Sequence, residues 1–277
     1  MNTLQTIQLE MLRSFLDVCQ TLGLQYYLVC GSALGAVKYG GFIPWDDDVD
    51  IAMPRRDYEI FCARAQSLLP AGIFVQNYRT DSRFPAIYTK LRNDNTTFIE
   101  TASAALPIHH GVYIDIFPLD GYPAGKLARS WLELRKSAYK LLLLSAFQGN
   151  YSRKVRILLG LFRLLGVHKH TDRIAEKYEG ILKAHPLENS ILWCNHGNWQ
   201  GKKDYAPADH YAAGTWAAFE GLTVRIPQQY DSYLTRKYGD FRSDLPPHLQ
   251  VSHHACTVCD CEKPYTAYIR AAGQEEA

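Results

Sequence analysis

The sequence predicts an α+β protein, a mixed sheet core with flanking helices, a helical insertion and a C-terminal part that completes the core. Three observations predict it. Through residue 123, short apolar or alternating segments are interleaved with segments of helical periodicity. From Ala124 to about His185 long helical stretches take over. Beyond residue 190 the chain is broken by Pro207, Pro227, Pro246, Pro247 and Pro264 and reads as loop-rich. The expected divisions are therefore a core at 1–123, a helical region at 124–190 and a C-terminal region at 191–277.

The elements follow in order. Leu4, Ile7, Met11, Leu12, Phe15, Leu16, Cys19 and Leu22 recur at helical spacing, and Gly23 supplies the stop. Tyr26 to Cys30 reads as a strand, Ala33 to Tyr39 as a short helix, and Gly40, Gly41 and Pro44 as a loop. Val49 to Met53 alternates as a strand. Pro54 then opens a helix to about Leu68, since proline suits a first helical turn. Ile73–Tyr78, Ala86–Arg92, Thr97–Glu100 and Val112–Phe117 are further strands, and Pro118 is expected to end the last. No internal repeat or low-complexity segment is evident.

Composition narrows the function. The formal net charge is only +2, so there is no bulk basic field for nucleic acid. Seven cysteines, an odd number at irregular spacing, argue against a disulfide framework. The first 23 residues lack the charge pattern and cleavage site of a signal peptide. No run reaches the roughly 18–20 apolar residues that span a bilayer. A cytoplasmic protein is the expectation.

The chemistry concentrates at Asp46, Asp47, Asp48 and Asp50. Carboxylates so close repel one another, and some must take up protons or share a cation. Hard oxygen ligands suit magnesium. On a strand, residues i and i+2 face the same way, so Asp48 and Asp50 project together while Val49 and Ile51 enter the core. Asp115, inside the apolar run Val112–Phe117, is a third candidate, because a lone carboxylate there is costly to bury. Three such groups around one or two Mg2+ ions, with Mn2+ as a substitute, would clamp a phosphoryl displacement.

Gly31 and Ser32 lie between a strand and a helix, where exposed N–H groups suit a phosphate. With an Asp-x-Asp strand beginning 16 residues after Ser32, the pairing marks a nucleotidyltransferase-like fold. Lys38, Lys90 and Arg92 are candidates to neutralise a diphosphate, the last two on one face of a strand.

Gly31 to Val37, then Gly41 to Ile51 (GFIPWDDDVDI), resemble the signature of the LicD/fukutin family. Val112 to Asp120 (VYIDIFPLD) resembles its third-carboxylate segment. Phe219-Glu220-Gly221, Pro227, Tyr230-Asp231, Tyr233-Leu234 and Tyr238-Gly239-Asp240 resemble its C-terminal block. The resemblance runs in pieces from about residue 5 to about 265 and is loose over about 124–190. It implies a nucleotidyltransferase-like catalytic core with metal positions at Asp48, Asp50 and Asp115. It also implies a phosphotransferase moving phosphocholine from CDP-choline to a surface glycan, of teichoic acid or lipopolysaccharide type, with release of CMP. Ribitol or glycerol phosphate transfer from the matching CDP-alcohol, and a true nucleotidyltransferase releasing pyrophosphate, are the alternatives.

A choline donor needs aromatic faces for its quaternary ammonium. Trp45, Tyr88, Tyr113, Trp193 and Trp199 are candidates, with Trp45 beside the acidic cluster. Cys256, Cys259 and Cys261 with His253 and His254 suggest zinc, but the second ligand pair of a structural site is missing. His196 to Trp199 reads as a loop within reach of an acceptor, but a lone histidine is more often structural, and His196 is read as structural. Leu141–Phe147 and Val155–Val167 are apolar stretches bordered by lysine and arginine. They raise peripheral contact with the inner face of a membrane beside ordinary packing on the core.

Overall fold

In the computed structural model, residues 1–197, 203–252 and 254–269 are described. Helix α1 (Thr3–Leu22) opens with a reciprocal cap between Asn2 and Gln5 and ends at Gly23, whose φ of 65° a side chain would strain. Strand β1 (Tyr27–Leu28) is shorter than the expected Tyr26–Cys30, because α2 (Cys30–Tyr39) already begins at Cys30. Next come β2 (Asp50–Pro54) and α3 (Arg55–Arg64), the latter with Pro54 at its N-cap. Strands β3 (Ile73–Gln76), β4 (Thr89–Asn93), β5 (Thr97–Glu100) and β6 (Tyr113–Gly121) follow. The helical region is α4 (Lys126–Leu144), α5 (Arg153–Leu164) and α6 (Thr171–Lys183).

The C-terminal third is more ordered than its prolines suggest. It holds β7 (Leu192–Asn195), β8 (Tyr205–Pro207), the hairpin β9 (Thr215–Phe219) and β10 (Leu222–Ile226), α7 (Tyr230–Tyr238) and β11 (Cys256–Asp260). These strands are short and only partly buried, so their hydrophobic alternation is weak.

The main sheet runs β1-β2-β6-β4-β3, with β7 on the end of β6 and β8 beyond it. Only β2 and β6 are parallel; β1 with β2, β4 with β6, and β3 with β4 are antiparallel. This mixed α+β arrangement agrees with the sequence at the level of class. Strand β6 is buried along its whole length and does not stop at Pro118. The Asp115 N–H points to the β2 side, donating to the Val49 carbonyl at 2.8 Å. Two-residue alternation therefore aims the Pro118 nitrogen at the other side, between the last β4 partner at Ile116 and the first β7 partner at Leu119. No neighbour needs a donor there, so proline is tolerated.

One apolar core lies under the sheet and takes in α1, with Leu12, Phe15, Leu28, Ile51 and Ile114 wholly buried. A second, formed by Leu132, Leu143, Tyr178 and Leu182 with Tyr78 and Tyr122, joins the helical region to the sheet. Charge also stitches this junction. Arg55 reaches Asp120 at the end of β6 through two hydrogen bonds of 2.7 and 2.5 Å, and Glu179 on α6 at 2.7 Å. Glu179 accepts further bonds from Tyr78 and Arg79.

Candidate active site

The register of the sheet builds the site. Asp50 on β2 lies opposite Asp115 on β6, and Asp115 lies opposite Lys90 on β4. Asp48 arrives from the segment just before β2. Carboxylate oxygens of Asp48, Asp50 and Asp115 lie within 4.8 Å of one another. The sequence-predicted trio is therefore one cluster. Asp46 and Asp47 join Asp48 in a second acidic group.

Charge in this cluster is under-compensated. Burial, then Asp50 and the other neighbouring aspartates, push the Asp48 carboxyl well above the usual carboxylate range. Burial and Asp115 push Asp50 up to about 7. Burial also raises Asp115, although Lys90 at 3.1 Å opposes it. A raised carboxylate pKa stabilises the fold below the unfolded value and loses that contribution as pH rises through the folded one. Metal-chelated protein should therefore melt lower at pH 8 than at pH 5, by at least about 5 °C. Calorimetry in EDTA tests this, and a flat or rising melting temperature across that interval would refute the crowded cluster.

The backbone of the acidic loop is held from α1. Gln5 donates to the Ile43 and Asp46 carbonyls at 3.3 and 3.0 Å, and Gln8 to those of Asp47 and Tyr113 at 2.7 and 3.2 Å. Both glutamines are buried. The sequence carried a signal for them: positions 5, 8, 12 and 15 share the apolar stripe of α1, and a polar side chain there needs a buried partner. Two glycines bring the backbone close. A Cβ on Gly31 would stand 2.7 Å from Asp46 Oδ2, and one on Gly35 would stand 2.4 Å from the Gly41 carbonyl oxygen. Glu220 accepts a hydrogen bond from the Phe42 N–H at 3.1 Å, while Phe219 packs on Phe42. The Phe219-Glu220-Gly221 block thus clasps the loop after α2.

The trio opens into a cavity of about 570 Å3. Cys30 and Gly31, in the first turn of α2, form part of its wall, as do Lys38, Trp45, Tyr88 and Phe117. The C-terminal segment closes the other side with Tyr238, Asp240, Phe241, Ser243 and Leu245. Trp45 meets Tyr39 edge-on at 6.3 Å, and Tyr88 packs on Phe117 at 4.8 Å.

The remaining sequence-predicted residues divide. Gly31, Lys38 and Trp45 line the cavity. Lys38 also pairs with Asp244 at 2.8 Å. Ser32 is buried, and its Oγ accepts from the Asp50 N–H at 2.8 Å, so it braces β2. Lys90 sits behind Asp115 and 3.2 Å from the centroid of the Tyr113 ring. Arg92 is fully buried and bound to Gln76, the Gly111 carbonyl and Glu100, away from the cavity. Their shared face is as expected, but Glu100 of β5 lies over it, so Arg92 is structural. Tyr113 and Trp193 likewise serve the core, Tyr113 beneath Lys90 and Trp193 stacked on Tyr211. Trp199 and His253 lie outside the described residues.

Two cationic groups join the acidic site without a sequence signal that places them there; from the sequence, His254 is a zinc candidate only. His254 lines the cavity, with Nδ1 2.8 Å from Asp47 and Nε2 3.7 Å from Asp48. Burial works against its charge, but Asp47 outweighs this and raises its pKa. Ser252 also hydrogen-bonds Asp47. Lys237 on α7 is buried, 3.8 Å from Asp204, and acts on Asp50 through space. Both lie about two hundred residues downstream of the aspartates they serve, where no spacing rule reaches. Cys256, Cys259 and Cys261 are free thiols on or beside β11. Among the described residues, the groups of three or more ligand-bearing side chains close enough to share an ion are the two acidic ones.

Residues 23–139 match the family model described as LicD/FKTN/FKRP, nucleotidyltransferase domain. That span takes in α2, the acidic loop, β2 and β6. The chain is also 26% identical over 272 residues to the lipopolysaccharide cholinephosphotransferase LicD of Haemophilus influenzae, covering 90% of this chain and 94% of that relative.

Proposed function

We propose that this chain, whose residues 23–139 match the LicD/FKTN/FKRP family model, is a magnesium-dependent cholinephosphotransferase of that family. In this reading it moves phosphocholine from CDP-choline to a hydroxyl of a cell-surface glycan and releases CMP. The relative that aligns over 90% of the chain is named for transfer to lipopolysaccharide, which makes a lipopolysaccharide-type glycan the first acceptor to try and teichoic acid the second. The observation that carries the reading is the gathering of Asp48, Asp50 and Asp115 at the wall of an aromatic-lined cavity.

The donor set fits a divalent cation. It is all oxygen, its carboxylates lie within 4.8 Å of one another, and it is crowded enough to hold protons at neutral pH. Asp48, Asp50 and Asp115 would hold the ion. When bound, it would neutralise the diphosphate and the charge building on departing CMP. The protein's own groups account for the rest. The start of α2, beside Gly31, presents the positive end of a helix to a phosphate, although the Cys30 N–H is already bound to the Tyr233 hydroxyl at 3.2 Å. Trp45, Tyr39, Tyr88 and Phe117 offer ring faces to a quaternary ammonium, at about 0.5–2 kcal/mol per contact. The acceptor oxygen forms a bond to the phosphorus that carries choline, and the bond from that phosphorus to the CMP oxygen breaks. The hydroxyl proton passes to a carboxylate, for which Asp115 is our assignment.

The test is incubation with Mg2+, a lipopolysaccharide oligosaccharide and, separately, CDP-choline, CDP-ribitol and CDP-glycerol, measuring CMP and pyrophosphate. CMP from CDP-choline with choline phosphate on the glycan is the expected result. Turnover of only CDP-ribitol or CDP-glycerol would reassign the alcohol, and pyrophosphate as product would overturn the reaction class.

A further inference from the structure

The helical region carries an apolar surface that the catalytic reading does not use. On α5, Leu159 is buried, and Arg163 donates to the Ser145 and Phe147 carbonyls at 2.8 and 2.7 Å, fixing that side of the helix to the end of α4. The opposite side carries Ile157, Leu161 and Leu164, spaced four and three residues apart on one face, with Leu165 following. They are 66%, 49%, 84% and 68% exposed. On α4, Leu127, Trp131 and Leu134 repeat the spacing at 88%, 61% and 62% exposed. Single exposed leucines are ordinary, but two facial stripes mark a surface that something covers.

Charge identifies the cover. From Leu134 to Thr171 there are eight lysines and arginines and no aspartate or glutamate. Arg153, Lys154 and Arg156 crowd the first turn of α5 beside its exposed stripe. A second copy of the chain would bring two such acid-free segments together and repel. No described helix is long and apolar enough to cross a membrane, so these would lie along a surface. We propose that α4 and α5 seat the protein on the face of an anionic lipid bilayer, apolar stripes in the acyl boundary and basic residues at the headgroups. The end of α4 and the turn after it adjoin the active site. Lys140, Leu143 and Phe147 line a cavity of about 120 Å3 whose other walls include Tyr88 and Gly197, which also line the catalytic cavity.

Vesicle flotation tests this with full-length protein and phosphatidylcholine vesicles, with or without about 30% phosphatidylglycerol. The parent should float with the anionic vesicles at least about tenfold better than with phosphatidylcholine alone, and less so in high salt. The triple variant Ile157→Ser, Leu161→Ser, Leu164→Ser should keep its melting temperature and lose about tenfold of that partition. Trp131 fluorescence, read as the difference between parent and Trp131→Phe, should be quenched by brominated lipid. Parent protein that stays unbound, or a triple variant that binds like the parent, overturns the proposal. So does a parent dimer that the triple variant converts to monomer, since a second copy then covers the stripes. CMP release with a water-soluble acceptor should be unchanged in the triple variant, which separates failure here from failure of the transferase reading.

Discussion

An Asp48→Asn variant should lose about a thousandfold or more in CMP release from CDP-choline, yet melt higher than its parent in EDTA. Both effects have one origin. Asp48 is buried against Asp50, Asp46, Asp115 and Asp47, and its pKa is raised by that burial first and by those charges next. An amide keeps the shape and removes one like charge, so the metal-free fold gains what the cluster had cost. The same amide is a poor ligand for Mg2+, so under the proposed mechanism the diphosphate would lose its counter-charge. Calorimetry and turnover on one preparation read both effects. Turnover within tenfold of the parent, in a variant that still melts cooperatively, would remove Asp48 from the reaction.

The second large effect is on stability. Arg55→Met should destabilise the protein by about 3–5 kcal/mol, because it strands a buried charge. Asp120 is 1% exposed at its side chain and takes both of its hydrogen bonds from this guanidinium. Glu179 would keep Tyr78, Arg79 and Lys183. The loss therefore falls on Asp120, and adding Asp120→Asn to Arg55→Met should restore part of it. A drop in melting temperature of about 10 °C for the single variant, partly recovered in the double, is the expected pattern. Equal melting of parent and single variant would mean the network does not hold the helical region to the sheet.

The acidic trio was legible because strand periodicity and the cost of burying a lone carboxylate both act over a few residues. What the sequence could not supply was alignment across strands. Lys90 and Arg92 share a face as their spacing requires, yet Glu100 and Tyr113 cover that face, and this depends on how β5 folds over β4. His254 and Lys237 reach the aspartates only through the path of the last third of the chain. Gln5 and Gln8 were readable in retrospect, as polar residues on an apolar stripe. The strand expected at Tyr26–Cys30 stops early because Cys30, at φ 51°, turns into the helix where apolar residues continue without a break. The last third carries little strand signal because strands such as β9 bury only one residue fully.

The acidic loop is gripped by two segments far apart in the chain. Gln5 and Gln8 hold its carbonyls, while Ser252 and His254 hold the Asp47 carboxylate from more than two hundred residues away. During synthesis, the aspartates therefore leave the ribosome long before their last clamps do. A nascent chain stalled before residue 252 would have its sheet but an unfinished reaction centre. The clamps on Asp47 are thus made only after β8, the last described strand of the main sheet in chain order, has been synthesised.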